Sequence, residues 1–197
     1  MLGHDAVVAR LQRAMAVRPP GLAERDEPFK EAAVALVLRV HEEADDLELL
    51  LIRRAQRDGD PWSGQIGLPG GRFERADASL EETAVRETIE ELGLDVRRHG
   101  VVLGALDELR PRTPVLPPII VRPYVCVLRD VPSLVMSDEV AEYRWVRVRD
   151  LFHPEARVNT TVRVRDFSMR VDAFQLGDFT VWGMTERILS TFAEIWR

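Results

Sequence analysis

A helix with strong signals at both ends constrains the fold of this chain more than any other part of its sequence. Ser79 is followed three residues later by Glu82, which fits a capping box, and Gly93 fits a helix stop. The sequence therefore predicts a helix over 80–92. The stretch 54–77 before it is rich in Gly and Pro, so we predict a long ordered loop there, and such loops in compact domains are usually functional.

The side chains of this helix divide into two faces when they are placed at 100° per residue. One face gathers the apolar residues that we expect to be buried, which are Val85, Ile89 and Leu92. The opposite face gathers three carboxylates within one turn, which are Glu87, Glu90 and Glu91. Like charges four residues apart repel each other, and a hard divalent cation would relieve the repulsion because Mg²⁺ prefers oxygen ligands. A solvated acidic face is the alternative interpretation.

The composition excludes several classes of protein. The net charge is −6 with no basic block, which argues against a nucleic-acid partner. No apolar run approaches the roughly 20 residues of a membrane-spanning helix, so we expect no membrane partner. The single cysteine, Cys126, excludes an internal disulfide framework and a multi-cysteine zinc site. We therefore expect a cytoplasmic protein. If its substrate is anionic, local positive charge must offset the net negative charge of the chain.

The rest of the chain alternates helical and strand patterns, which indicates an α/β fold. We predict helices over 5–16 and 182–196, strands over 32–40, 47–53, 101–109, 119–129 and 143–148, and a further hairpin over 162–176. The segment 1–30 is then an N-terminal helix and connector. The pattern shows no second-domain linker, so we expect one domain over 1–197.

The glycine-rich loop and the acidic helix together resemble the signature of the Nudix hydrolases. That signature has a glycine, a glutamate and then Arg-Glu-apolar-x-Glu-Glu-x-Gly-apolar, and it is matched here by Gly71, Arg86, Glu87, Glu90, Glu91, Gly93 and Leu94. The box spans 71–94, with one residue more than usual between its glycine and its arginine. Its first glutamate has no direct counterpart, and Glu74 and Asp77 are the candidates to replace it. The resemblance implies an α/β/α sandwich around a mixed β-sheet.

The sequence upstream of the box is similar to the coenzyme A pyrophosphatase branch of that family. The similarity lies in 50–55, in the Pro-Gly-Gly segment 64–71 and in 181–185, which opens the last helix. The branch signature places a basic residue four positions before Gly64, where this chain has Asp60.

The resemblance implies hydrolysis of the diphosphate bond of a nucleoside diphosphate derivative, most similar to coenzyme A, with Mg²⁺ or Mn²⁺. It implies Glu87, Glu90 and Glu91 as metal ligands, with Glu87 and Glu91 central to catalysis, and Gly70 as a carbonyl ligand. Arg86 is expected to orient a carboxylate of the box. The alternatives are an ADP-ribose or nucleotide-sugar pyrophosphatase, a nucleoside triphosphate pyrophosphatase, and a nucleotide-sensing domain without turnover. Many relatives pair as dimers, so a homodimer is also expected.

Four further site residues are expected outside the acidic helix. A base often comes from outside the box in this family, and Glu139 is our first candidate, before Glu142 and Glu108. Arg54 either binds phosphate or pairs with a glutamate of the box. Trp62 either stacks on a base or anchors its loop, and Gly71 lets the backbone approach a substrate.

Overall fold

Helices and groups of consecutive strands follow one another along the chain. The structure is a computed structural model that describes residues 3–17, 19–41, 46–59, 62–111, 118–164 and 167–196. The helices are α1 (His4–Ala16), α2 (Leu80–Leu92), α3 (Val96–His99), α4 (Val148–Leu151) and α5 (Met184–Trp196). The strands are β1 (Lys30–His41), β2 (Asp46–Arg54), β3 (Ile66–Gly67), β4 (Gly70–Arg72), β5 (Gly100–Ala105), β6 (Ile119–Leu128), β7 (Val140–Arg147), β8 (Arg157–Val164), β9 (Phe167–Leu176) and β10 (Phe179–Trp182).

Strand β1 lies at the centre of a mixed sheet. In the described part of the chain this sheet has seven strands, with the order β3-β2-β1-β6-β5, while β4 pairs with β1 and β7 pairs with β2. The pairing of β1 with β6 is parallel, and the pairings of β1 with β2 and β4 are antiparallel. Strands β8, β9 and β10 form a second, antiparallel sheet. Strands β1 and β2 are consecutive and antiparallel, which confirms that the strands predicted over 32–40 and 47–53 form a hairpin.

Helices cover both faces of the central sheet. Ala35 and Leu36 of β1 point to opposite faces because successive side chains of a strand alternate. Ala35 belongs to the apolar cluster that includes Leu92 of α2. Leu36 belongs to the cluster that includes Leu11 of α1 and Phe192 of α5. This arrangement confirms the expected α/β/α sandwich around a mixed sheet.

Several elements differ from their predicted bounds. The strand expected over 101–109 ends at Ala105, because the chain then turns and the Glu108 N–H donates to the Gly21 carbonyl at 2.9 Å. The second hairpin begins at Arg157, and the turn that joins its strands lies outside the described residues. The last helix begins at Met184 because Trp182 still belongs to β10.

Helix α2 has the predicted ends, and its buried face includes Val85 and Leu92 as predicted but not Ile89. The Ser79 side chain accepts from the Glu82 N–H, and Gly93 closes the helix in the left-handed conformation with φ 65°. Ile89, however, is 43% exposed, whereas Glu91 is only 2% exposed. The small residues Ala84 and Thr88 are fully buried and let the helix approach the sheet. This rotation turns Glu91 inward, away from the other carboxylates of its helix.

The packing of α5 against the sheet gives a test of the core. Phe192 is fully buried, so we expect Phe192→Ala to lower the free energy of unfolding by about 3–5 kcal/mol. Phe73 is 39% exposed, and Phe73→Ala is the matched control, with an expected loss of about 1 kcal/mol or less. Urea denaturation of the three proteins measures both values. Equal losses in the two variants would contradict the described position of α5.

Candidate functional site

A cavity of about 510 Å³ lies where the loop before α2, the central sheet and the start of α5 meet. Its charged and polar lining comes from both sides of the box, and it includes Arg54, Arg57, Gln65, Arg72, Glu87, Glu139 and Thr185. Its apolar lining comes from the sheet, the loop and α5, and it includes Val34, Trp62, Ile66, Leu68, Val121, Met184 and Ile188. Gly70 and Gly71 complete the wall beside α2.

The two glycines of the Pro-Gly-Gly turn bring its backbone against the central strand and against α2. Gly70 has a φ of 152°, and a Cβ atom there would lie 2.3 Å from the carbonyl oxygen of Ala33. A Cβ atom on Gly71 would lie 2.2 Å from Glu87 Oε1. A side chain at either position would therefore push the turn away from its neighbours, and at Gly71 it would occupy the space of a carboxylate.

Glu91 is a buried carboxylate held at the edge of this turn. Its Oε2 atom accepts a hydrogen bond from the Gly70 N–H at 3.0 Å, and its Oε1 atom lies 3.5 Å from Arg54 Nη1. Burial, together with the nearby charges of Glu87 and Glu139, raises the pKa of Glu91 to about 8, although the Gly70 N–H and Arg54 act in the opposite direction. Oε1 is buried and accepts no hydrogen bond within the described ranges. The site therefore contains a buried carboxylate oxygen without a hydrogen bond, within electrostatic reach of two further carboxylates.

Arg86 joins the other carboxylates of the box. Its Nη1 atom donates to Glu87 Oε1 at 2.9 Å and to Glu90 Oε2 at 2.8 Å, while its Nε atom donates to Asp77 Oδ1 at 2.9 Å. Burial raises the pKa of Glu87, and the Arg86 guanidinium acts in the opposite direction. One guanidinium thus fixes three carboxylates that come from the loop and from two positions of α2.

Asp77, rather than Glu74, lies under Arg86. Its carboxylate is buried and accepts hydrogen bonds from Arg86, from the Thr83 hydroxyl at 2.8 Å and from the Glu74 N–H at 3.0 Å. The hydrogen bond from Arg86 lowers the pKa of Asp77 to about 2, although burial opposes the change. Glu74 contributes its backbone to this arrangement, and its side chain is exposed.

Glu139 immediately precedes β7, and it lines the cavity. The Ala55 N–H donates to the Glu139 carbonyl at 2.8 Å, so the end of β2 fixes the backbone of this residue. Its Oε1 atom lies 3.1 Å from Arg57 Nη1. The charge of Glu139 raises the pKa of both Glu87 and Glu91, so its carboxylate lies within electrostatic reach of both.

The two other candidate bases lie elsewhere. Glu142 pairs with Arg53 at 3.2 Å and with Arg144 at 2.6 Å on the sheet. The Glu108 side chain is fully buried, and it receives hydrogen bonds from Arg25 and from the Ala23 N–H at 2.9 Å. Both carboxylates hold neighbouring segments together, and the described lining of the cavity includes neither.

Sequence reasoning missed Arg57. This residue lines the cavity three positions before Asp60, which itself lies outside the described residues. The signal that could have found it is the arginine in the variable loop, close to where the resembled signature has a basic residue. Its ion pair with Glu139 joins segments more than 80 positions apart, so no local pattern predicts it.

The fit of the site to a hard divalent cation is partial, because its carboxylates offer oxygen ligands but are paired with arginines. Among the described residues, no group of three or more His, Cys, Asp or Glu side chains converges closely enough to enclose an ion. Glu91 is opposed by Arg54, Glu87 by Arg86 and Glu139 by Arg57. The fit rests on the buried, unbonded Oε1 atom of Glu91 and on the space that Gly71 leaves for the Glu87 carboxylate.

Comparisons with known proteins indicate the family of this chain. A family model described as the NUDIX domain matches residues 21–165. A peroxisomal coenzyme A diphosphatase of Caenorhabditis elegans is 31% identical over 79% of this chain and 64% of its own length. A mitochondrial coenzyme A diphosphatase of Mus musculus is 30% identical over 70% of this chain and 65% of its own length. The chain thus spans somewhat less than two thirds of both relatives.

A solved structure shows the same fold. It is a MutT/nudix family protein from Enterococcus faecalis, with a TM-score of 0.60 and 23% sequence identity. The match covers 95% of this chain and 69% of that protein. None of the helices in the described ranges is long and apolar enough to cross a membrane.

The Asp77–Arg86 pair predicts a pH-dependent contribution to stability. We expect Asp77→Asn to lower the free energy of unfolding at neutral pH by about 1–3 kcal/mol, because a buried donor loses its charged acceptor. The carboxylate has a folded pKa of about 2 against an ordinary value of 3.8. Its stabilising effect is therefore complete above pH 4 and disappears as the pH falls through about 2.

Denaturation of wild type and Asp77→Asn at pH 7 and at several acidic values measures this difference. The difference between the unfolding free energies of the two proteins should become smaller below pH 4. A difference that stays constant down to pH 2 would contradict the ion pair.

Proposed function

Since this chain belongs to the NUDIX family, we propose that it hydrolyses the diphosphate bond of a nucleoside diphosphate derivative, with coenzyme A or a close relative as substrate. The observation that carries the proposal is the buried carboxylate of Glu91, held by the Gly70 N–H beside a cavity lined by Glu87 and Glu139. A solvated acidic helix would not need a glutamate on its buried face.

We propose Mg²⁺ or Mn²⁺ as the cofactor. Glu87, Glu90 and Glu91 would hold it, together with the backbone carbonyl of Gly70. When bound, a divalent cation neutralises the charge of a diphosphate and lowers the pKa of a water. Arg86 would keep Glu87 and Glu90 in place through its paired hydrogen bonds.

The other residues of the cavity have distinct proposed roles. Glu139 would act as the general base, because it lines the cavity without being part of the acidic helix. Arg54 lies beside both Glu91 and the cavity, so it can hold a phosphate oxygen while its charge faces the box. Trp62 would stack on the base of the nucleotide, and Gly71 would let the backbone approach the diphosphate.

Coenzyme A is favoured as substrate by two independent supports. Two relatives with about 30% identity are coenzyme A diphosphatases by name. The cavity also combines charged walls with an apolar lining from Ile66, Met184 and Ile188, which suits an anionic diphosphate with a long uncharged arm.

The setting of this activity is proposed as well. We propose that the chain works as one domain, because Leu11 of α1 shares a core cluster with Phe192 of α5. We also propose a homodimer and a cytoplasmic location. The two relatives differ in the second respect, because their names place them in the peroxisome and the mitochondrion.

A turnover panel tests the substrate. The protein is incubated with Mg²⁺ and with coenzyme A, ADP-ribose, nucleotide sugars or nucleoside triphosphates, and the products are separated by chromatography. We expect coenzyme A to give 3′,5′-ADP and phosphopantetheine. Preference for another nucleotide would keep the chemistry and overturn the substrate. A nucleotide that raises the melting temperature without any turnover would favour a sensing domain.

Glu91→Gln tests the carboxylate that carries the proposal. We expect turnover to fall more than about 100-fold, because even partners outside the metal ligands cost 10–100-fold when they are removed. Glu81→Gln is the matched control, since Glu81 lies on the same helix and pairs at the surface with Arg97. Normal turnover by Glu91→Gln would refute the assignment.

Removal of the cation gives a second readout. Treatment with EDTA should abolish turnover, and added Mg²⁺ or Mn²⁺ should restore it. The cation should also raise the melting temperature of wild type but not of Glu91→Gln, because ligands that bind the folded state stabilise it. An equal shift in both proteins would place the cation elsewhere.

A further inference from the structure

We propose that Arg57 is a positioning residue that holds the Glu139 carboxylate in its working orientation at the cavity. The proposal rests on the proposed function, because Glu139 must act as the base for its orientation to matter. Arg57 Nη1 lies 3.1 Å from Glu139 Oε1, and Arg57 Nη2 lies 3.1 Å from Asp138 Oδ2. One guanidinium thus spans two neighbouring carboxylates with separate nitrogens.

The backbone of Arg57 is fixed within its own loop. Its N–H donates to Ser63 Oγ at 2.7 Å, and the same hydroxyl donates to Gln56 Oε1 at 3.0 Å. Gly64 adds to this packing, because a Cβ atom there would lie 2.1 Å from Gln56 Nε2. The loop therefore presents the Arg57 side chain from a defined point rather than from a free coil.

The backbone of Glu139 is fixed by hydrogen bonds of its own turn and of that turn to α2. The Ser137 N–H donates to the Glu91 carbonyl at 2.9 Å, and the Glu139 N–H donates to Ser137 Oγ at 3.3 Å. The side chain itself is 44% exposed, and among the described residues Arg57 is its partner. An exposed glutamate otherwise samples several rotamers, so this ion pair selects one of them.

The charges around Glu139 also support a positioning role for Arg57. Glu139 lies within electrostatic reach of Glu87, whose negative charge would repel an unpaired carboxylate from the cavity. Arg57 supplies the opposing charge through its contact with Oε1. We expect the carboxylate held in this way to accept the proton of an attacking water.

A double-mutant cycle tests this role. We expect Glu139→Gln to lower kcat by about 10²-fold or more, as for loss of a general base, and Arg57→Gln to lower kcat about 10-fold with little change in KM. If Arg57 acts through Glu139, the double variant should be no slower than Glu139→Gln alone. Arg57→Lys should recover part of the activity, because it keeps the charge but not the two-pronged geometry.

Arg97→Gln is the matched control. Arg97 is 42% exposed and also pairs with two carboxylates, Glu81 and Glu82, but the described lining of the cavity does not include it, so its loss should leave turnover unchanged. All variants should melt close to wild type, because exposed ion pairs contribute little to stability.

Two results would overturn the proposal while leaving the hydrolase function intact. Effects that multiply in the double variant would show that Arg57 acts independently of Glu139. A raised KM with unchanged kcat in Arg57→Gln would show that Arg57 binds the substrate itself. Wild type without turnover on any compound of the panel would instead overturn the proposed function, and the role of Arg57 with it.

Discussion

The hydrogen bond from the Gly70 N–H to Glu91 is the contact on which the site depends. Strand β4 pairs with the central strand β1, so the glycine turn has a fixed place in the sandwich. Helix α2 packs on the same face through small residues, which brings the buried Glu91 to that turn. The bond therefore joins the loop, the sheet and the helix at the edge of the cavity, and the positions of Glu87 and Arg86 follow from it.

Arginines explain how an acidic chain can gather carboxylates in one place. Arg54, Arg57 and Arg86 each face a different glutamate of the site, and each comes from a segment next to the cavity. Like charges at this spacing would otherwise separate or take up protons, and the raised pKa of Glu91, about 8, shows that the compensation at that residue is incomplete. A cation that binds here would complete it, while the arginines hold the ligands in place beforehand.

Local patterns in the sequence were sufficient to predict the ends of α2 and the order of the central elements. Ser79 and Gly93 act on backbone within one turn of themselves, so their effect is independent of the rest of the fold. The prediction of the buried face of α2 was confirmed for Val85 and Leu92 and was wrong for Ile89. Hydrophobicity placed Ile89 inside, whereas close approach to the sheet favours Ala84 and Thr88. Arg57 depends on its contact with Glu139 in a distant segment, which one sequence does not reveal.

The burial of Glu91 has an energetic consequence that distinguishes a functional group from a structural one. Asp77 is also buried, but three donors satisfy it and lower its pKa, so its ionised form stabilises the fold. Glu91 has the opposite balance, since burial raises its pKa and its ionised form opposes folding. A carboxylate kept at such a cost, with one oxygen unbonded, is typical of a group whose partner arrives with the ligand. Asp77 thus holds Arg86 in place, whereas Glu91 keeps one oxygen available for the proposed cation.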